Sequence, residues 1–266
     1  MVYQLAALKN EVVVFDDLSG HLNTKYAPPI MQILGSITNS RDLKKVADYG
    51  LFDEVFHLAP KKSVSESLLD PALYWKVNRD GTANALSLCV DLGINRIVAI
   101  SSAAVYGPAP GPDLIHETDK INPTCIYSET KTAAELLISE ASASGSISTI
   151  LLRSFNLVGA SNSDFFDAQA ENLLPIIIHS LKAGSPFEIY VGNFETPDEI
   201  SILDYANVSD VAQAHIKARQ LLHESRIGFH STLNVSSGFG TSVLQLIEQV
   251  TIQSKTSLRT CNVKMR

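Results

Sequence analysis

A phenol and an amine stand four residues apart in the segment Tyr127-Ser-Glu-Thr-Lys131. On a helix, residues i and i+4 lie on the same face, so Tyr127 and Lys131 would point in the same direction. A phenol alone is a poor base at pH 7 because its pKa is about 10, and a neighbouring ammonium lowers that pKa. The pair could therefore transfer protons at neutral pH, although the same spacing also arises by chance.

Polar side chains also follow three apolar runs of the strand type. Asp16 ends the run 11–16, Ser102 ends the run 96–102, and Lys62 lies just past the run 53–59. In parallel sheets, ligands bind beyond the carboxyl ends of the strands. Asp16 could accept hydrogen bonds from an adenosine ribose, Ser102 could bind a substrate oxygen, and Lys62 could face phosphates. Other roles remain open: Asp16 could be a helix cap or a turn residue, and Ser102 could be a turn residue. Lys62 could simply be an exposed lysine in a loop.

The elements that would position these residues alternate between strand and helix. We predict strands over residues 11–16, 53–59, 96–102 and 148–153, and helices over residues 1–9, 42–49, 70–92 and 127–143. Near-continuous apolar strands separated by helices predict an α/β fold with a doubly wound parallel sheet. The rhythm changes after Phe155, so we predict a first domain over 1–155 and a smaller lobe over 156–266.

Composition restricts the classes of protein to consider. The 266 residues are 45% hydrophobic and 18% charged, which predicts a substantial core, and the net charge of −7 argues mildly against nucleic acid and anionic membranes. The three cysteines form no CxxC motif, and the seven histidines show no metal-ligand spacing. With no apolar run of membrane-spanning length and no pattern of a signal peptide, we expect a cytoplasmic protein without a metal.

An ordered set of sequence blocks resembles the extended short-chain dehydrogenase/reductase family of NAD-dependent epimerases and dehydratases. The blocks, in chain order, are VVVFDD, HLAPKKSVSES, NRDGTANAL, SSAAVYG, NPTCIYSETK, LLRSFNLVGA, ENLLP and LDYANVSDVAQAH. They cover nearly the whole chain and are most similar to the members that are 4-epimerases of UDP-hexoses. The resemblance implies a Rossmann-type NAD-binding domain over 1–155 and a nucleotide-sugar-binding lobe over 156–266.

The resemblance also implies roles for individual residues. Tyr127 would be the catalytic base and acid, Lys131 would hold the nicotinamide ribose, and Ser102 would bind the reacting hydroxyl. The implied NAD-binding residues are Asp16, Asp17, Ile37, Leu58, Ala59, Lys62, Asn78, Tyr127, Lys131, Ser154 and Phe155. The implied substrate-binding residues are Lys62, Ser102, Tyr127, Asn156, Asn172, Leu173 and Arg266.

The reaction that follows from the resemblance is the interconversion of UDP-glucose and UDP-galactose. Tyr127 would take the proton of the sugar 4-hydroxyl while carbon 4 gives a hydride to NAD. The 4-keto sugar would then rotate, and the hydride would return to its opposite face. The family often forms homodimers through a four-helix bundle, which here would use the helices over 70–92 and 127–143.

Several positions depart from the family pattern. The first glycine is Gly20, so no GxxGxxG turn precedes Asp16, and we expect a chain that lacks the first strand and is also short at the carboxyl end. Ser36 stands where the family usually has an acid, Pro60 replaces a glycine, and Ala104 replaces a hydroxyl residue. Leu203 replaces an arginine that grips the diphosphate, a contact worth roughly 1.5–3 kcal/mol.

Two other functions stay open at this point. A nucleotide-sugar dehydratase or decarboxylase would share the fold, but the dehydratases carry acidic residues where Ala103 and Ala104 follow Ser102. The other is a catalytically inactive relic that binds a partner. The departures from the family pattern, above all the missing GxxGxxG turn and Leu203, support it. The intact Ser102, Tyr127 and Lys131 argue against it.

Overall fold

The computed structural model describes residues 1–20, 26, 29–109, 114–160, 172–192, 196 and 199–264. The chain forms two compact units. The first contains Met1–Phe155 and Ser209–Val235, and the second contains Asn156–Val208 and Ser236–Arg266. The sequence-based division at residue 156 is therefore wrong for residues 209–235. These residues belong to the first unit because they supply a strand to its sheet.

The structure has helices and strands in the alternating order that the apolar pattern predicts. The described helices are α1 (Val2–Ala7), α2 (Ser40–Lys44), α3 (Val64–Leu69), α4 (Pro71–Tyr74), α5 (Gly81–Asp91), α6 (Ile126–Ala143), α7 (Leu173–Ala183), α8 (Val208–Glu224) and α9 (Val243–Ser254). The described strands are β1 (Val13–Asp16), β2 (Met31–Leu34), β3 (Val55–His57), β4 (Arg96–Ser102), β5 (Ser148–Ser154), β6 (Asn156–Val158), β7 (Phe187–Val191), β8 (Ile202–Asn207), β9 (His230–Val235), β10 (Gly240–Ser242) and β11 (Thr260–Lys264).

The first unit is organised around parallel strands. Four of them form one sheet in the order β3-β4-β5-β9, and β1 and β2 form a separate parallel pair. Ser102 at the end of β4 lies beside Ser154 at the end of β5. The predicted α/β fold with a parallel sheet is confirmed, and the register brings the polar strand ends to one edge.

Helices cover both faces of this sheet, as its apolar strands require. Ile97 and Ala99 of β4 pack with Ile138 of α6 on one face. Val98, their neighbour in the strand, packs with Leu222 of α8 on the other face, because successive strand residues point to opposite sides. The catalytic candidates on α6 are thereby fixed against β4.

Local structure differs from the prediction in three elements of the first unit. The short strand β2 and the short helix α3 were not predicted, because a segment of four to six residues is too short to show a clear hydrophobic periodicity. The predicted helix 70–92 is present over residues 71–91, but its middle, Trp75–Asp80, is π-helical and joins α4 to α5. Such segments are rare and often occur at functional sites.

The second unit has two small sheets and a core of its own. Strands run in the order β10-β8-β6, and β11 pairs with β7. Its core includes Ile177 of α7, Ile189 of β7 and Ile247 of α9. Asp204 of β8 anchors the turn that follows β9 by accepting hydrogen bonds from the backbone N–H groups of Ser237 and Gly238, each at 2.8 Å.

Candidate active site

The beginning of α6 is fixed by the hydroxyl of Ser128. This oxygen accepts hydrogen bonds from the backbone N–H groups of Thr124 and Cys125, each at 3.1 Å, and donates to the carbonyl of Cys125 at 2.9 Å. A side chain that satisfies free N–H groups stabilises a helix start. Tyr127 thus occupies the first turn of a well-anchored helix.

Lys131 lies one turn after Tyr127 on the same helix, as the spacing predicts. Its side chain is only 3% exposed, and its Nζ donates a hydrogen bond to the carbonyl of Ile100 in β4 at 2.7 Å. Burial disfavours the ammonium and lowers the pKa of Lys131 to about 8, while the negative charge of Glu135 acts in the opposite direction.

The phenol of Tyr127 is harder to ionise than a phenol in water. Burial raises the pKa of Tyr127, and interaction with the hydroxyl of Ser102 offsets part of this rise. The sequence-based expectation that Lys131 lowers the pKa of Tyr127 is therefore not met in this arrangement. Desolvation makes the largest contribution to the pKa of the Tyr127 phenol. The ammonium of Lys131 donates its hydrogen bond to the carbonyl of Ile100 and not to the phenol.

The structure brings Ser102 to Tyr127 across the edge of the sheet. Ser102 is the last residue of β4, and its Oγ accepts a hydrogen bond from the N–H of Ala104 at 3.2 Å. The neighbouring Ser154 uses its hydroxyl to bond the carbonyl of Ser101 at 3.1 Å, and Phe155 is half-buried beside it. Ser102, rather than Ser154, therefore presents its hydroxyl toward the phenol.

Asn78, predicted as a neighbour of the cofactor, is completely buried in the π-helical segment. Its Oδ1 accepts a hydrogen bond from the N–H of Lys61 at 2.8 Å. Its Nδ2 donates to the carbonyl of Lys61 at 3.2 Å and to the Oγ1 of Thr130 at 3.0 Å. Thr130 in turn donates to the carbonyl of Tyr127 at 2.8 Å. Asn78 therefore ties the loop after β3 to the helix of Tyr127.

A second clamp holds the same loop. The phenol of Tyr74 accepts a hydrogen bond from the N–H of Ser63 at 2.9 Å and donates to Glu66 at 2.8 Å. The rings of Tyr74 and Tyr127 meet edge to face with their centroids 6.5 Å apart. The loop presents three of the predicted residues at its surface, namely Leu58, Ala59 and Lys62.

The predicted adenosine-ribose residues lie at the end of β1. Asp16 and Asp17 are exposed, and each accepts a hydrogen bond from the backbone N–H two residues later, at 2.6 and 2.9 Å. Ile37, in contrast, is buried against the start of α5, where a Cβ on Gly81 would come within 2.5 Å of its side chain. The exposed carboxylates keep acceptor capacity for a ligand, whereas Ile37 offers only an apolar surface.

The substrate-binding candidates of the second unit fall into two groups. Asn156 begins β6 and donates from its Nδ2 to the carbonyl of Asp204 at 3.0 Å. Asn172 and Leu173 form the beginning of α7. Arg266 lies outside the described residues. Leu203, at the position of the family arginine, is partly buried in β8.

The sequence analysis did not identify His57, a buried histidine at the end of β3. The Nε2 of His57 lies 2.9 Å from the Oγ1 of Thr82, and this hydroxyl donates to the carbonyl of Asn78 at 2.6 Å. The hydroxyl proton is thus committed, so we assign the donor role in the first contact to His57. Burial, and then the charge of Lys131, lower the pKa of His57 to about 4. Its position at the end of β3 was the only signal in the sequence.

Sequence reasoning also missed a buried ion pair. Arg153 of β5 holds both carboxylate oxygens of Glu135, with Nε–Oε1 and Nη2–Oε2 distances of 2.9 and 2.7 Å. Its Nη1 donates to the phenol of Tyr106 at 2.8 Å, and this phenol donates to Asn234 at 2.8 Å. A glutamate four residues after Lys131 and an arginine inside an apolar strand were the available signals.

Two other site classes find no support in the described part of the chain. Within it, no group of three His, Cys, Asp or Glu side chains is placed to hold a metal ion. No helix among these residues has the length and apolar character needed to cross a bilayer.

Comparison with known proteins supplies the family. A model of the NAD dependent epimerase/dehydratase family matches residues 1–230. The UDP-glucose 4-epimerase of Azospirillum brasilense is 30% identical over 243 residues, which are 88% of this chain and 68% of that protein. UDP-glucose 4-epimerase 4 of Oryza sativa subsp. japonica is 36% identical over 217 residues, which are 79% of this chain and 58% of that protein.

A solved structure is similar over almost the whole chain. The UDP-glucose-4-epimerase of Stenotrophomonas maltophila, with bound NAD and formylated UDP-arabinopyranose, superposes with a TM-score of 0.89 at 27% identity. The match covers 99% of this chain and 81% of that one.

Proposed function

This chain belongs to the NAD dependent epimerase/dehydratase family, and we therefore propose that it is an NAD-dependent UDP-glucose 4-epimerase. Its substrates would be UDP-glucose and UDP-galactose. The observation that carries the proposal is the arrangement of Tyr127 and Lys131 on one face of α6, with Ser102 at the adjoining strand end. The reaction needs a proton acceptor at the sugar 4-oxygen, and these are the groups that can provide one.

Each of these side chains has a defined task in the proposed reaction. Ser102 would hydrogen-bond the 4-oxygen of the sugar, and Tyr127, in its phenolate form, would take the proton of that hydroxyl and later return it. Lys131 bonds to the carbonyl of Ile100 in the unliganded chain, and with NAD and sugar bound its positive charge would stabilise the phenolate of Tyr127. When bound, NAD supplies the acceptor and donor of the hydride at carbon 4. The protein residues orient the sugar and exclude water.

The residues present fit NAD at its adenosine and nicotinamide ends. The exposed carboxylate of Asp16 at the end of β1 suits the hydroxyls of an adenosine ribose and would repel the extra phosphate of NADP. Lys62, exposed in the loop after β3, suits a phosphate. We assign the remaining contacts with NAD to Asp17, Leu58, Ala59, Ser154 and Phe155. Ile37 and Asn78 are buried and would support the NAD site from the interior.

The second unit would supply contacts to the UDP-sugar. We assign these to Asn156, Asn172, Leu173 and Arg266. Leu203 cannot provide the charge-assisted contact of an arginine, so we expect weak binding of the diphosphate. Within this family fold, Ala103 and Ala104 favour epimerisation over dehydration because neither can move a proton.

Two further properties belong to the proposal. All three cysteines are free thiols, which fits a reducing, cytoplasmic location. Val90 of α5 and Leu136 of α6 are exposed, and such apolar side chains fit a homodimer formed through these two helices. Light scattering of the purified chain, compared with a Leu136→Glu variant, would test the dimer.

A direct test begins with the purified chain. NAD released on denaturation would be measured by absorbance and mass, and UDP-galactose would then be offered as substrate. We expect bound NAD and formation of UDP-glucose, with its rate reduced by about 10²–10⁴-fold in Tyr127→Phe. Absence of NAD, together with no rise in Tm on adding it, would refute the proposed cofactor. A kcat of Tyr127→Phe within tenfold of that of the unchanged chain would refute the role of the phenol.

A further inference from the structure

The ammonium of Lys131 lies in the interior of the first unit, where it needs a nearby opposite charge to remain protonated. Lys131 is almost fully buried, and the one hydrogen bond described for its Nζ goes to a neutral carbonyl. A buried ammonium without a nearby anion tends to lose its proton. A neutral amine could not stabilise the phenolate of Tyr127, so an anion close to Lys131 has a direct consequence for the proposed chemistry.

Glu135 meets this requirement by position. It lies four residues after Lys131 on α6, so Tyr127, Lys131 and Glu135 follow one another along a single face. Lys131 and Glu135 also line the same small cavity, together with His57 and Ser101. Glu135 is only 6% exposed, so its charge acts on Lys131 with little screening by water.

Arg153 fixes the charge and the direction of Glu135. It donates to both carboxylate oxygens, and the phenol of Tyr106 holds the remaining Nη1. A bidentate pair of this kind keeps a carboxylate ionised even in the interior. The carboxylate of Glu135 is therefore held in an ion pair on the interior face of α6.

The other groups around Lys131 do not compete with Glu135 as a counter-charge. Tyr127 on the same helix is neutral in the resting state because burial raises its pKa. His57 on β3 is neutral because burial lowers its pKa to about 4. Arg153 on β5 is cationic, but the carboxylate of Glu135 engages two of its nitrogens.

We propose that Glu135 is a positioning residue for the Tyr127–Lys131 pair, and that its carboxylate, held by Arg153, keeps the buried Lys131 ammonium charged. This inference rests on the proposed function for its catalytic meaning, but the electrostatic relationship does not need that function to be correct. Glu135 contacts neither reacting atoms nor substrate in this assignment, and it acts through Lys131.

The test is a titration of Lys131 by NMR of lysine labelled at Cε and Nζ, in the chain without substrate. The signal is assigned by its loss in Lys131→Met. In Glu135→Gln we expect the pKa of Lys131 to fall by about one unit, as removal of a nearby opposite charge predicts. Glu140→Gln, an exposed glutamate of the same helix, is the matched control and should leave the titration unchanged.

The direction of the shift separates an electrostatic role from a merely structural one. If Glu135 only supported packing, its loss would admit water, and the pKa of Lys131 would rise toward its ordinary value. Arg153→Gln should raise this pKa, and adding Glu135→Gln to that variant should lower it again. The double variant contains neither the buried charge of Glu135 nor that of Arg153. Comparing it with Arg153→Gln therefore tests the electrostatic role of Glu135 even if Glu135→Gln alone does not fold. An unchanged or increased pKa on loss of Glu135 would overturn the proposal.

Activity gives a second readout that keeps the two proposals apart. For an active enzyme, Glu135→Gln should move the alkaline limb of the kcat profile to lower pH, and Glu135→Asp should restore most of the shift. If the titration shifts as expected but no variant epimerises UDP-galactose, the role of Glu135 stands and the proposed function fails.

Discussion

Asn78 and Thr130 join through a hydrogen bond of 3.0 Å from Nδ2 to Oγ1, although they are 52 residues apart in sequence. Asn78 also holds both backbone groups of Lys61. The loop after β3 and the helix of Tyr127 are therefore attached to one buried amide, and the geometry of the site depends on it.

Replacing Asn78 by alanine is expected to lower the free energy of unfolding by about 1–3 kcal/mol, because it leaves buried backbone groups of Lys61 without partners. Asn78→Asp keeps the acceptor for the N–H of Lys61, but it turns a buried carboxylate oxygen toward the carbonyl of Lys61, so it should cost at least as much as Asn78→Ala at pH 7. Urea unfolding at pH 7 measures both. Equal stability of Asn78→Ala and the unchanged chain would contradict the clamp.

The phenol of Tyr127 should account for the proton transfer. We expect Tyr127→Phe to reduce kcat for UDP-galactose by about 10²–10⁴-fold, the usual contribution of a general acid–base group. The far-ultraviolet circular dichroism should not change, because the ring is retained. Tyr49→Phe removes an exposed phenol and serves as the control. A kcat for Tyr127→Phe within tenfold of the control would rule out this role.

Burial of Lys131 should make stability depend on alkaline pH. Its pKa is about 8 in the folded chain and about 10.5 when unfolded, so the unfolded state binds more protons between these values. Stability therefore rises as pH increases from 8 to 10.5, and below pH 8 the burial cost is constant. Lys131→Met should remove this rise and add up to about 3 kcal/mol at pH 7, at about 1.4 kcal/mol per pKa unit.

That increment should shrink when the unfolding of both chains is repeated at pH 10, since the native Lys131 is then neutral. Lys120→Met is an exposed control that should show no such pH dependence. A constant difference between Lys131→Met and the unchanged chain at both pH values would mean that Lys131 is not buried as an ammonium.

His57 should produce the corresponding effect on the acid side. Its pKa is about 4 in the folded chain and about 6.5 when unfolded, so the unfolded state binds more protons in this window. Stability should therefore be lost as pH falls from 6.5 to 4, by up to about 3 kcal/mol. Tm measured across this range should fall less steeply in His57→Gln. Identical slopes in the two chains would contradict a neutral buried imidazole.

Much of the fold was accessible from the sequence because its signal is local. The apolar runs that became β4 and β5 have the periodicity and length of buried parallel strands, and α6 was found to within one residue at its start. The family read from the ordered motifs is confirmed by the family match. Strand β9 was missed as part of the first unit because its pairing with β5 spans about 80 residues.

The sequence by itself determined which groups could do chemistry: a phenol and an amine one helical turn apart, with a hydroxyl at a strand end. Only the tertiary structure decided how these groups behave. Burial raises the pKa of Tyr127, and the ammonium of Lys131 bonds to Ile100 rather than acting directly on the phenol. Ionisation depends on solvent access and on charges that other strands bring close, and neither is encoded in the spacing of a motif.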